Sequence, residues 1–255
     1  MRVNDVKALI TGGASGLGLA TAERLIAGGA RVTMLDINQE AGAEAARALG
    51  EAARFEAVDV TNESAVDAAV EHAFQEMGGL NLAVNCAGVA WPRRIVNKEG
   101  PMPGDFFRKV IEINLIGTLL VSKAASAGMS KNAPNAEGER GLIVMTASVA
   151  AFDGQIGQVA YSASKSGIVG MTLPMARDLA SSGIRVMTIA PGIFKTPLMA
   201  SLPQEAQDSL GKQVPFPPRL GRPEEYAALV AHVCENVMLN GECIRLDGAI
   251  RMAPK

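Results

Sequence analysis

Apolar residues in this chain fall into seven short runs rich in β-branched and aliphatic side chains: Val6 to Ile10, Arg31 to Leu35, Arg54 to Val58, Leu82 to Asn85, Leu142 to Thr146, Ile184 to Ile189 and Cys243 to Leu246. Between them lie alanine-rich segments with helical spacing, such as Leu17 to Ala27 and Ala41 to Leu49. Strands alternating with helical patterns predict βαβ units, and hence an α/β fold with one Rossmann-type, doubly wound parallel sheet and helices on both faces. No linker, repeat or low-complexity tract interrupts the alternation, so residues 1–255 read as one domain. Lys131 to Gly141 is polar enough to be an exposed loop. Pro174 falls inside the helix expected to start near Tyr161 and should kink it or end its first segment. The proline-rich stretch at about 194–220, with its cluster of Leu, Met and Phe, has the make-up of a mobile lid.

Composition narrows the function. The 255 residues are 48% hydrophobic, which excludes disorder as the general state, and carry a net charge of −2, which gives no electrostatic footprint for nucleic acid or an anionic membrane. A small-molecule substrate is the better expectation. Cys86, Cys234 and Cys243 lack framework spacing and read as reduced thiols, and with only His72 and His232 no metal site is expected. The chain enters a strand almost at once, and no apolar run approaches the roughly 20 residues that span a bilayer, so the expected compartment is cytoplasmic.

The candidate chemistry begins with Tyr161 and Lys165, one helical turn apart in YSASK, with Ser148 upstream at the end of an apolar run. Residues four apart on a helix stack on one face about 5–6 Å apart at Cβ, which sets an ammonium beside a phenol. A tyrosine needs about three pKa units of phenolate stabilisation, on the order of 4 kcal/mol, to act as a base near neutrality, and a neighbouring cation supplies much of it. The competing reading is ordinary helix surface. After the first strand comes TGGASGLG, where Gly12, Gly16 and Gly18, with Ser15 and Leu17 between them, open a helix whose free N–H groups would face a pyrophosphate. The spacing GxxxGxG departs from the common GxGxxG. Asp36 ends the second strand and is placed to accept hydrogen bonds from an adenosine ribose while repelling a 2′-phosphate, favouring NAD over NADP; its alternative role is a cap on the next helix. Asp59 and Val60, and Asn85, Ala87 and Gly88, end the third and fourth strands on the same edge and are candidate cofactor contacts.

From end to end the chain resembles the short-chain dehydrogenase/reductase family. TGGASGLG corresponds to its glycine loop, NCAG to its NNAG, and Asn114, Ser148, Tyr161 and Lys165 to its catalytic tetrad. Pro191, Gly192, Ile193 and Thr196 match the segment that meets the nicotinamide carboxamide. Cys86 departs from the pattern, replacing the second Asn with a thiol, which cannot donate and accept as an amide does. Long runs outside these motifs, such as QVPFPPRLG and LNGECIRLDGAIRM, are most similar to the branch that interconverts 3-hydroxyacyl-CoA and 3-oxoacyl-CoA. The resemblance implies NAD as cofactor, an acyl-CoA or similar substrate, and a homotetramer. It implies that Tyr161 is the base, that Lys165 lowers its pKa and holds the nicotinamide ribose, and that Ser148 donates to the reacting oxygen. Asn114 would anchor a proton-relaying water. Gln155 matches a residue near the substrate carbonyl, or is a satisfied loop amide. Leu198, with Met199 and Leu202, would cover an acyl chain or steroid, or pack the lid onto the core. Arg93, Arg94 and Lys98 would meet coenzyme A phosphates, or are solvated charge. A hydroxysteroid dehydrogenase, a 3-oxoacyl-carrier-protein reductase and an NAD-ordered scaffold are the alternatives.

Overall fold

The computed structural model describes residues 1–196, 199 and 203–254. Seven parallel strands form the sheet: β1 (Lys7–Thr11), β2 (Arg31–Asp36), β3 (Ala53–Ala57), β4 (Leu82–Asn85), β7 (Gly141–Thr146), β8 (Ile184–Pro191) and β9 (Cys243–Leu246). Their order is β3-β2-β1-β4-β7-β8-β9, so the direction of winding reverses between β1 and β4. Each predicted apolar run is one of these strands. They were legible because a parallel sheet is covered on both faces and its strands read as continuous apolar runs. β7 and β8 are buried at every position.

Alternate side chains feed two cores. Ala8, Ile10, Val32, Met34 and Val144 pack beneath α1 (Gly16–Ala27), α2 (Gln39–Leu49) and α8 (Pro223–Glu235), which contributes Tyr226 and Val230. Leu9, Ala83, Ile143 and Met145 face the other way, against α3 (Glu63–Met77), α5 (Gly117–Met129) and α6 (Val159–Ala180). A two-residue hairpin, β5 (Val96–Asn97) with β6 (Gly100–Pro101), follows β4, and α4 (Gly104–Ile111) then enters α5 through a π-helical turn at Glu112–Ile116. Gly104–Met129 is long and apolar enough to cross a membrane by length and composition, which the apolar runs do not foretell. Here Val121, Ala125 and Met129 are spent on the core beside α3.

The loop from Lys131 to the start of β7 is tied down: Asn132 Nδ2 donates to the carbonyls of Leu80 and Arg140. Within it Glu139 is buried rather than solvated, because Arg185 Nε donates to its carboxylate at 2.8 Å. Cys86, Cys234 and Cys243 are free thiols. Beyond β8 the chain makes an excursion whose ends meet: Phe194 bridges Gly221, and Gly221 N donates to Ile193 O at 2.9 Å. The excursion carries α7 (Gln204–Lys212). Arg219 on its return is clamped by both carboxylate oxygens of Glu225, whose pKa falls to about 2 through that guanidinium.

Pro174 does not end its helix. α6 continues unbroken to Ala180. A proline removes the bond to the carbonyl four residues back, here Gly170. Both Gly170 and Pro174 are exposed, so that carbonyl meets water, while Ile168, Thr172 and Ala176 hold the opposite face in the core. Replacing Pro174 with Ala restores the bond, and the urea midpoint should rise by the equivalent of about 1–2 kcal/mol after allowing for the looser unfolded chain. An unchanged or lower midpoint would contradict this account of the helix.

Candidate active site

All the predicted chemistry lies at the carboxyl ends of the strands, where open α/β sheets bind ligands. Directly after β1, Gly12 adopts φ +65°, and a Cβ added at Gly18 would sit 2.2 Å from the Gly12 carbonyl oxygen. Only glycine lets the first turn of α1 fold back this closely. Ser15 occupies the N-cap position without a side-chain capping bond, so the first N–H groups of α1 remain available to an anion. Asp36, half-buried at the end of β2, accepts from Ala14 N at 3.2 Å and from Asn38 N at 3.0 Å. It does not cap α2. Asn38 does, accepting from Ala41 N. The carboxylate is thereby fixed against the glycine loop, as a ribose acceptor must be, and the donor set fits a dinucleotide.

The β4 end joins this loop to the catalytic candidates. Gly12 backs onto the Cys86–Ala87 peptide, and Ala87 N donates to Thr11 Oγ1 at 3.1 Å. At Gly88 a Cβ would lie 3.0 Å from Asn114 Oδ1 and 3.5 Å from Lys165 Nζ, so a side chain there would crowd both. Asn114 sits in the π-helical turn, a device frequent at functional sites, and is fully buried. Its Oδ1 accepts from Val89 N, and its Nδ2 serves Val89 O and Ser164 Oγ. Both side-chain donors are thus committed to tying the segment after β4 to α6, which leaves acceptor capacity alone for a water.

Ser148 follows β7. Its Oγ accepts from Ala150 N at 3.1 Å, and its hydroxyl is near enough to the Tyr161 phenol to pull that group's pKa down. The strand-end cap and the phenol contact are therefore one arrangement. Lys165 is 5% exposed, with Nζ 5.8 Å from the Tyr161 ring centroid, and it donates to the Thr146 carbonyl at 2.7 Å. Burial drives its pKa down to about 8, opposed by Cys86. The phenol does not behave as the helical spacing suggests. Desolvation pushes Tyr161 above its ordinary value and only Ser148 pulls it down, because the ammonium is turned towards Thr146. Some of the Tyr161 surface remains open to solvent.

Other candidates sit differently from expectation. The Val60 side chain is buried against Gly117 of α5, where a Cβ would come within 2.7 Å of it, so this residue has only backbone to offer a ligand. Asn85 likewise turns inward, donating to Ser122 Oγ at 3.1 Å and leaving its Oδ1 buried without a partner. Asp59 closes its own turn, accepting from Thr61 N and Oγ1. Gln155 Nε2 donates to the Ala253 carbonyl at 2.9 Å, which fastens this loop to the C-terminal tail. Pro191 to Thr196 leaves the end of β8, with Gly192 N held by Leu246 O at 2.9 Å and Thr196 N by Phe194 O. Leu198 and Leu202 lie outside the described residues.

Of the basic residues in the insertion, Arg93 is engaged: its guanidinium lies 5.6 Å over Phe106, and Glu99 is 3.7 Å away. Arg94 and Lys98 are exposed. The pattern of the sequence does not reveal Thr146 and Tyr226, which meet beneath Lys165. They are 80 residues apart, and no short-range spacing signals such a contact.

Comparison with known proteins supplies the rest. The short chain dehydrogenase family profile matches residues 6–207. The chain is 55% identical to 3-hydroxyacyl-CoA dehydrogenase type-2 of Bos taurus and 54% identical to that of Homo sapiens, each over 99% of this chain and 97% of the relative. The crystal structure of 3-hydroxyacyl-CoA dehydrogenase type-2 from Mycobacterium avium superposes with a TM-score of 0.92 at 45% identity, covering 97% of this chain and 96% of that one. With its glycine loop, its Ser148, Tyr161 and Lys165 at one sheet edge, and its family profile in agreement, this chain belongs to the short-chain dehydrogenase family.

Proposed function

We propose that this chain is an NAD-dependent 3-hydroxyacyl-CoA dehydrogenase, a single catalytic domain that interconverts 3-hydroxyacyl and 3-oxoacyl thioesters. The observation that carries the reading is the convergence of Ser148 on the Tyr161 phenol, with Lys165 one turn along α6, at the edge that also holds the glycine loop. The likeness to the type-2 dehydrogenases over the whole chain supports the thioester substrate.

In this reading the α1 N-terminus with Gly12, Ser15, Gly16, Leu17 and Gly18 holds the pyrophosphate, Asp36 the adenosine ribose, and Asp59, with backbone from Val60, Asn85, Ala87 and Gly88, the rest of the adenosine half. Pro191, Gly192, Ile193 and Thr196 take the carboxamide, and Lys165 the second ribose. Bound NAD supplies the hydride acceptor in one direction and, reduced, the donor in the other. Tyr161 takes the proton of the substrate hydroxyl in oxidation and returns it in reduction. Ser148 donates to the same oxygen as charge develops on it. Asn114 keeps the segment after β4 against α6, so that Lys165 and Gly88 stay in register. Gln155 borders the substrate, and the described residues of the excursion, α7 among them, form its cover. Free thiols support a reducing, cytoplasmic-type compartment, and a homotetramer completes the reading.

Phenylalanine at Tyr161 should lower turnover of acetoacetyl-CoA by about 10²–10⁴-fold and leave NADH binding near parental, as read by nicotinamide absorbance and fluorescence. Retained turnover would falsify the assignment of the base. The parent should use NADH in preference to NADPH, and Asp36→Ala should narrow that preference by about 10–100-fold, since a charged acceptor and a repulsive charge are both lost. A parent that prefers NADPH overturns the role of Asp36.

Burial of Lys165 predicts a conflict between stability and activity. Its folded pKa of about 8 lies below the ordinary value near 10.4, so the unfolded chain binds that proton more tightly. The penalty is full below about pH 8 and is relieved as pH rises towards 10. Lys165→Met should therefore abolish turnover yet stabilise the protein at neutral pH by on the order of 1–2 kcal/mol in urea denaturation. A variant less stable than the parent would show that the Thr146 bond outweighs the cost of desolvation.

A further inference from the structure

Beneath the Lys165 ammonium, three polar side chains from three elements meet in a ring. Thr146 Oγ1, at the end of β7, lies 2.7 Å from Tyr226 Oη and 3.5 Å from Cys86 Sγ, and Cys86 Sγ is 3.7 Å from the same phenol oxygen. Each group has one hydrogen to donate and lone pairs to accept. When Tyr226 donates to Thr146, Thr146 to Cys86 and Cys86 to Tyr226, each proton has an acceptor inside the ring. Such a closed circuit polarises itself, and the full burial of Tyr226 leaves its hydroxyl no water as a substitute. Burial pushes the Cys86 thiol up and the Tyr226 phenol well up, so both keep the protons the ring requires at neutral pH.

Thr146 is also the residue whose carbonyl receives Lys165 Nζ at 2.7 Å. Its side chain belongs to the ring and its backbone holds the lysine. Threonine is stiff about χ1, so fixing Oγ1 restricts the orientation of the backbone at the same Cα. The ring is anchored at its other corners too: Cys86 N donates to Thr11 O beside the glycine loop, and Tyr226 is fixed within α8. The titratable groups facing Lys165 are Tyr161 and Cys86.

We propose that Cys86, Thr146 and Tyr226 form a positioning ring that holds the Thr146 carbonyl, and through it Lys165, in place for the reaction. Cys86 then stands at the amide position of the family motif as a member of this ring, and Tyr226 of α8 is a positioning residue for chemistry on α6. The inference rests on the role given to Lys165 above.

The test compares Cys86→Ala, Cys86→Ser and Tyr226→Phe with the parent in the full-length protein. Cys86→Ala and Tyr226→Phe should lower kcat with acetoacetyl-CoA about ten-fold, the scale of a small misplacement, while KM for the thioester stays within about two-fold. Their pH profiles should shift in the alkaline limb towards the ordinary lysine range, and their affinity for NADH, measured by fluorescence titration, should weaken. Cys86→Ser keeps one donor and its acceptors and should restore kcat, pH profile and NADH affinity to near parental. Parental behaviour of both Cys86→Ala and Tyr226→Phe, or a Cys86→Ser as impaired as Cys86→Ala, overturns the proposal. Should Tyr226→Phe fail to fold, the two Cys86 variants decide alone. A parent inactive on acetoacetyl-CoA whose NADH affinities still follow the predicted order would overturn the thioester reading and leave the ring standing.

Discussion

A charged amine in an almost dry site governs the arrangement around it. Lys165 is 5% exposed, and an isolated ammonium so placed is costly unless it is hydrogen-bonded or gives up its proton. The structure answers with one carbonyl, that of Thr146, and a pKa drawn down to about 8. Much else is fixed by that need. β7 must end where its last carbonyl can turn towards α6, Gly88 must lack a side chain, and Asn114 must hold the segment after β4 close enough to exclude water. The site is strained in the electrostatic sense, and two cores of packed aliphatic side chains on either side of the sheet supply the stability that tolerates it.

Parallel topology explains why residues so distant in sequence meet. With every strand running the same way, every strand ends on one edge, and the glycine loop, Asp36, Cys86 to Gly88, Thr146 to Ser148 and Pro191 to Thr196 all leave from it. The reversal of winding between β1 and β4 opens the crevice that these ends line. At the opposite edge, Arg185 donates from β8 to Glu139 and to carbonyls near the end of α8. That buried cluster anchors the helix carrying Tyr226 far from the chemistry.

Legibility followed the range of the interaction. Strands were readable because burial of both faces leaves an apolar run, and the glycine loop because a tight turn against Cys86 and Ala87 admits little else. Tyr161 and Lys165 were readable as a pair because helical periodicity is local. The spacing alone misjudged their electrostatics, since it places the ammonium beside the phenol but carries no record of the Thr146 carbonyl that claims it. The π-helical turn around Asn114 leaves no mark in the apolar pattern, and the helix runs on past Pro174 because that residue and Gly170 are exposed, which is a property of the fold. Position at a strand end does not say which part of a residue faces the crevice: the side chains of Val60 and Asn85 turn into the core and leave their backbone at the edge.

The resting geometry constrains how the phenol can become a base. Tyr161 sits above its ordinary pKa with Ser148 as its one favourable partner, and the nearest cation is engaged elsewhere. An ammonium has three hydrogens, and the Thr146 carbonyl takes one. Lys165 therefore need not leave its anchor to act on Tyr161; a small swing of Nζ about the bond to Thr146 would bring its free hydrogens nearer the phenol. Attraction between unit charges rises as they approach and is poorly screened in a site with little water, so a short swing of this kind strengthens the hold on a phenolate. A rigid carbonyl makes that swing small and reproducible, whereas a loose one would spend the ammonium on water. Tight anchoring of Thr146 and a low pKa at Tyr161 are on this view the same requirement, met from opposite sides of Lys165.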